Sequence, residues 1–103
     1  MGKQSHKSVF IGDDISVCYR CGKMCMPDEE RMEEHHIFGG AARRSISDKY
    51  GLLIHVCRDC HNFIHGKDGK EVMKFLHEEG QRIYEERYGT REKFIEEFIR
   101  SYL

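Results

Sequence analysis

Apolar residues in this chain come in short runs set between polar turns. The richest run is Leu52-Leu53-Ile54-His55-Val56, which follows Gly51 and predicts a buried strand. A partner strand is predicted upstream. There Met32, Glu34, His36 and Phe38 alternate with Glu33, His35 and Ile37 until Gly39-Gly40 breaks the pattern. A helix is predicted to begin near Arg58 and end around Gly66, with Lys67-Asp68-Gly69 as a turn. A longer helix follows over Lys70 to Tyr88. Its stripe of Val72, Phe75, Leu76 and Ile83 is partial, and Gly80 weakens its middle. Gly89 suits a C-cap and Thr90 the next N-cap. The last helix, Arg91 to Leu103, carries Phe94, Ile95, Phe98, Ile99 and Tyr102 at helical spacing. That face reads first as packing and second as the contact of a homodimer. Residues 41–50 read as a basic loop, with at most one helical turn capped by Ser45 or Ser47.

The expected organisation is a flexible N-terminal arm over 1–14, a core over 15–69, and a helical extension of the same domain over 70–103. In the arm, Val9-Phe10-Ile11 could pack as a short strand, and His6 reads as unremarkable. At 103 residues the chain is one small domain; with 39% hydrophobic and 34% charged residues its core is thin and calls for a staple. Five cysteines could supply disulfides or metal ligands. No stretch near the N-terminus has the apolar run of a secretory signal, so Cys-x-x-Cys pairs read as metal sites in a cytoplasmic protein. No segment is long and apolar enough to span a membrane. A net charge of −1 argues against broad coating of nucleic acid but leaves room for a local basic surface.

Cys18-Tyr19-Arg20-Cys21-Gly22 and Cys57-Arg58-Asp59-Cys60 are two knuckles that together make a four-thiolate tetrahedral set. Zinc accepts that geometry, and a closed site of this kind is structural. Gly22 suits the turn after the second cysteine, where φ is often positive. Cys25 is the odd thiol and reads as a small free or buried residue. On the predicted helix, His61 and His65 sit one turn apart on one face, and His35 or His36 could add a third imidazole. Three protein ligands leave positions for water and a phosphate oxygen, as a catalytic metal requires.

His35-His36, a loop, a strand, and Cys57-Arg58-Asp59-Cys60-His61-Asn62-Phe63-Ile64-His65 resemble an HNH endonuclease of the ββα-metal kind. The flanking cysteine pairs resemble the zinc-stapled version found in phage and bacterial proteins. The resemblance covers about residues 16–68 and implies a small α+β fold: a treble-clef-like ββα-metal core with a structural four-cysteine zinc, followed by two C-terminal helices. It implies DNA as substrate and a bacterial or phage-infected cell as setting. It also implies a catalytic divalent metal (Zn2+, Mn2+, Ni2+ or Mg2+) on His35, His61 and His65, with His36 as the base that activates water. A neutral imidazole is a suitable base near pH 7.

One position departs from the family. Its middle Asn, which pins the loop carrying the base, would fall at Leu52. Asp48, Tyr50 and Asn62 are the candidates to replace it. Adjacent strand residues also point to opposite faces, so His35 and His36 share a site only if the strand twists or ends there. Arg43, Arg44, Lys49, Arg58 and Lys67 are the candidate phosphate contacts, set against ordinary solvated charge. Two rival functions stand beside the nuclease: a non-catalytic zinc module that binds DNA or protein, and a structural partner in a larger phage assembly.

Overall fold

The computed structural model describes residues 8–103. The elements are β1 (Glu33–His36), α1 (Ala41–Tyr50), β2 (Leu53–Val56), α2 (Arg58–His65), a 3-10 turn (Lys67–Gly69), α3 (Lys70–Arg87) and α4 (Arg91–Phe98). The class is α+β, with four helices and one two-stranded antiparallel sheet among the described residues.

β2 is buried at every position, whereas β1 is built from Glu33, Glu34, His35 and His36. Such a polar strand has little propensity of its own. It is held by its ladder, which pairs Glu33 with Val56, Glu34 with His55, His35 with Ile54 and His36 with Leu53.

Residues 41–50 form a ten-residue helix rather than the expected loop, and neither Ser45 nor Ser47 caps it. Gly40, with φ 91°, precedes the helix without a side-chain cap. Ser47 is buried inside it. Its hydroxyl accepts from the Phe38 N–H (3.2 Å) and donates to the Phe38 carbonyl (3.1 Å). These bonds pin the chain leaving β1 against α1.

The core is aromatic. Phe38 packs on Phe94 and Phe98, with ring centroids 5.3 and 4.6 Å away, and Tyr84 packs on Tyr50 and Phe94 at 5.1 and 5.2 Å. Each such pair contributes about 0.5–1.5 kcal/mol beyond its buried area. Gly80 belongs to this packing. A Cβ there would lie 3.1 Å from both Ile37 and Phe38, so its hydrogen is what lets α3 approach β1's exit. Glu97 joins α4 to the rest by accepting from the Tyr50 hydroxyl (2.9 and 3.0 Å) and the Tyr84 hydroxyl (2.5 Å).

Thr90 caps α4 as expected, accepting from the Lys93 N–H at 3.1 Å. The helix stops at Phe98, short of the expected Leu103, because Ile99 takes φ 80°. The tail then folds back. Tyr102 donates its N–H to Gln81 Oε1 (2.6 Å), and its ring lies 4.4 Å from that of His77. Phe94 and Phe98 are spent inside the chain, while Ile95 and Ile99 stay exposed.

The arm expected over 1–14 falls outside the described residues up to residue 7. From Ser8 onward it lies against the sheet without forming a strand. Val9 donates to the Gly51 carbonyl (2.9 Å), Phe10 is buried, and Asp13 takes the His55 backbone N–H (2.7 Å) and ring Nδ1 (2.6 Å) on its two oxygens. A buried apolar ring and a buried carboxylate bound to β2 are what dock it. Among the described residues, no helix is long and apolar enough to cross a membrane.

Candidate metal centres

Two knuckles bring four sulfurs together. The first follows an antiparallel bridge of Val17 with Met24 and is closed by Cys18 N–H to Lys23 O (2.8 Å) and Gly22 N–H to Cys18 O (2.9 Å). Gly22 has φ 82°, the left-handed turn anticipated for it. The second knuckle is the start of α2, where Cys57 is the N-cap. Each knuckle aims an N–H at its first sulfur: Cys21 N–H to Cys18 Sγ and Cys60 N–H to Cys57 Sγ, both 3.4 Å.

Cys18, Cys21, Cys57 and Cys60 lie within 4.8 Å of one another, close enough to bind one metal ion. The Cys21 and Cys57 sulfurs are 3.9 Å apart. A tetrahedron with Zn–S bonds of about 2.3 Å has sulfurs about 3.8 Å apart, so the set is compatible with zinc. All four are free thiols here, as is Cys25, which lies outside the cluster.

The electrostatics point the same way. Burial raises the Cys18 thiol, but backbone groups of Cys21, Cys57 and Arg20 outweigh it and lower it to about 6. Cys60 is pushed up to about 12 by burial, against the pull of Arg20 and with the push of its neighbouring sulfurs. Four sulfurs this close cannot all be thiolates without a cation among them. Arg20 supplies part of that charge from outside. Its Nη1 donates to Cys60 Sγ (3.5 Å) while the guanidinium lies 3.9 Å over the Phe63 ring.

A second cluster stands at the other end of α2. His61 and His65 share one face of the helix with centroids 4.9 Å apart, and His35 of β1 meets them at 5.4 and 5.0 Å. Their ring nitrogens lie within 4.8 Å of one another. His35 is 1% exposed, and neither of its ring nitrogens has a hydrogen-bond partner. Burial, then the neighbouring His65 and His61, lowers it to about 3. It is therefore neutral and offers a lone pair. His65 is lowered too, by burial and by His61.

His61 Nδ1 is held by Glu33 Oε1 at 2.8 Å, and that bond keeps the Glu33 carboxyl below its usual range, helped by Arg58. A carboxylate on one ring nitrogen turns the other toward the cluster and fixes its tautomer, the support that metal-binding histidines generally have.

His36 lies apart from those three rings. Alternation on β1 turns it from His35 to the side of Glu34, where Glu34, His36 and Asp48 form a third group within 4.8 Å. Its Nε2 is 2.5 Å from Asp48 Oδ1. His35 and His36 nevertheless line the same cleft, a cavity of about 390 Å³ that also takes in Glu34, Arg44, His61 and His65.

Of the three residues considered as substitutes for the missing Asn, Asp48 is the one bonded to His36. Tyr50 is turned to Glu97, and Asn62 is exposed. Of the expected phosphate contacts, Arg44 lines the cleft and Lys67 lines a groove beside His65. Arg58 is bonded to Glu33 at 3.2 Å. Arg43 is half-buried, and Lys49 sits 5.2 Å from the Tyr50 ring on a different surface.

In the sequence Glu33 reads only as a strand position and Ser47 only as a possible helix cap. Their partners, His61 and Phe38, are 28 and 9 residues away, and no local pattern marks them. No protein-family model, curated protein or solved structure matches this chain.

Proposed function

We propose that this chain is a metal-dependent DNA endonuclease of HNH type, with a treble-clef-like core stapled by a four-cysteine zinc. The observation that carries the reading is His35. A buried, neutral imidazole with both nitrogens unpartnered, facing two more imidazoles, costs stability unless a ligand fills the gap. The four-cysteine cluster alone would serve equally well in a non-catalytic module that binds DNA or protein. His35 is what favours the nuclease, because such a module has no use for it.

His35, His61 and His65 would hold a divalent ion; three imidazoles suit zinc, nickel or manganese better than magnesium. Such an ion, when bound, would supply Lewis-acid stabilisation of charge on the phosphate and the leaving oxygen. The rest falls to the chain itself. Asp48 accepts the Nε2 proton of His36, which leaves Nδ1 as the nitrogen with a free lone pair. That nitrogen takes the proton of the attacking water, and the Asp48 carboxylate stabilises the imidazolium that results. Arg44, at the cleft wall, meets a non-bridging phosphate oxygen. Ser47 and its two bonds to Phe38 hold the segment after His36 in register with α1, the task the family gives to its middle Asn.

The test is plasmid nicking with manganese, nickel, zinc or magnesium, comparing wild type with His36→Ala. Nicking by the wild type alone, with equal zinc content and melting temperature in both proteins, supports the reading. No nicking under any metal sinks it in favour of the binding module.

A further inference from the structure

A groove of about 850 Å³ lies between the end of α2, the first turns of α3 and the C-terminal tail. His65 lines both this groove and the histidine cleft, so the two lie on either side of one side chain. Its walls carry the side chains of Lys67, Lys70, Lys74 and Arg100 against one acidic side chain, Glu78, with Leu103 at its edge. Glu78 is engaged by Lys74 at 3.0 Å, and that lysine is still 72% exposed. The Arg100 guanidinium sits 4.8 Å over the Tyr102 ring, which holds it at the rim. The whole chain has a net charge of −1, so this concentration of cations is a local feature and not a property of the surface at large. A basic groove leading out of a phosphate-cutting cleft matches one kind of occupant, a chain of phosphates.

We infer that this groove carries the sugar–phosphate backbone of the DNA strand leaving the histidine cleft, with Lys70, Lys74 and Arg100 as phosphate contacts. The inference rests on the nuclease reading for the identity of the anion. It assigns a role to the helical extension, which lies outside the HNH-like segment. Contacts to phosphates position a strand without reading its bases, so the grip is blind to sequence.

The experiment is fluorescence anisotropy with a labelled oligonucleotide of roughly twenty nucleotides, single-stranded and as duplex. It uses the full chain with its zinc and no further metal, so that no cutting is required. In Lys70→Gln/Lys74→Gln/Arg100→Gln, loss of three phosphate contacts should flatten the slope of log K against log salt by about 2 to 3. Affinity at about 0.1 M salt should fall on the order of a hundredfold. The charge-keeping Lys70→Arg/Lys74→Arg/Arg100→Lys protein should bind within a few-fold of wild type. Arg82→Gln/Lys93→Gln, which removes two cations outside the groove, should do the same. Zinc content and melting temperature establish that each variant is folded.

A triple glutamine variant that binds with wild-type affinity and slope overturns the groove while leaving nicking, and hence the nuclease, intact. Wild-type protein that binds neither oligonucleotide overturns both.

Discussion

Replacing His35 with leucine separates a ligand from an ordinary core residue, because the two roles give opposite signs. His35 is 1% exposed and its two nitrogens are unpartnered. With no ion among the imidazoles, those nitrogens are a liability of about 1–3 kcal/mol. Leucine removes the liability at a cost of about 1 kcal/mol or less for imperfect shape. The variant should therefore match wild type or exceed it by up to about 2 kcal/mol, and 1 kcal/mol moves the midpoint of a domain this size by about 4–8 °C. Adding nickel or manganese at about a hundred times its dissociation constant should stabilise wild type by about 2.7 kcal/mol, a rise of roughly 10–20 °C. In His35→Leu that rise should vanish. Melts followed by circular dichroism, with metal content measured on the same samples, read both halves. A variant destabilised by about 2 kcal/mol or more before metal is added, like a common core truncation (about 2–5 kcal/mol), would refute the argument. So would a metal-induced rise that survives the substitution.

Three further outcomes follow from the same contacts. His35 is held near 3 in the folded state against 6.5 when free, so the unfolded chain binds more protons between those values; stability is full above about 6.5 and is lost as pH falls. Urea midpoints should thus cost wild type about 2 kcal/mol more than His35→Leu between about pH 7 and pH 5, and parallel curves would remove the effect. On the proposed nuclease reading, Asp48→Asn keeps the shape beside His36 but loses a charge-assisted bond of about 1.5–3 kcal/mol, so single-turnover nicking should slow about tenfold to a hundredfold with bound metal unchanged. A wild-type rate would take Asp48 out of the mechanism. Glu97→Ala strands the buried hydroxyls of Tyr50 and Tyr84 and should cost about 2–4 kcal/mol in urea, whereas Glu97→Gln, still an acceptor, should cost clearly less.

What could be read in the sequence was what spacing encodes. Cys18/Cys21 and Cys57/Cys60 declare themselves by the gap of two, and His61/His65 by their separation of one helical turn. β2, α2, α3 and the Thr90 cap follow from apolar runs and punctuation. α1 was hidden because its apolar signal is sparse: Ile46 and Tyr50 are its only large apolar residues, and Ser47 is buried to bind Phe38 and not to cap. The end of α4 was hidden because nothing in Ile99 foretells a positive φ. The N-terminal docking depends on Asp13 meeting His55, 42 residues later, and the support of the imidazoles depends on Glu33 meeting His61. These are tertiary pairings, and a carboxylate in a polar stretch looks the same whether it has a partner or not.

α2 is eight residues long; Cys57 at its N-cap and Cys60 in its first turn offer the thiolates, while the remainder offers His61 and His65. A helix that short does not hold its shape in water unaided. Anchoring the thiolates would set the angle at which the imidazoles are presented, and an ion held by the imidazoles would restrain the turn that presents the thiolates. If both clusters take an ion, the two occupancies would be linked, and linkage is reciprocal: whatever factor the first ion adds to the affinity for the second, the second adds to the first. A titration of either site will be tighter in protein where the other is already filled.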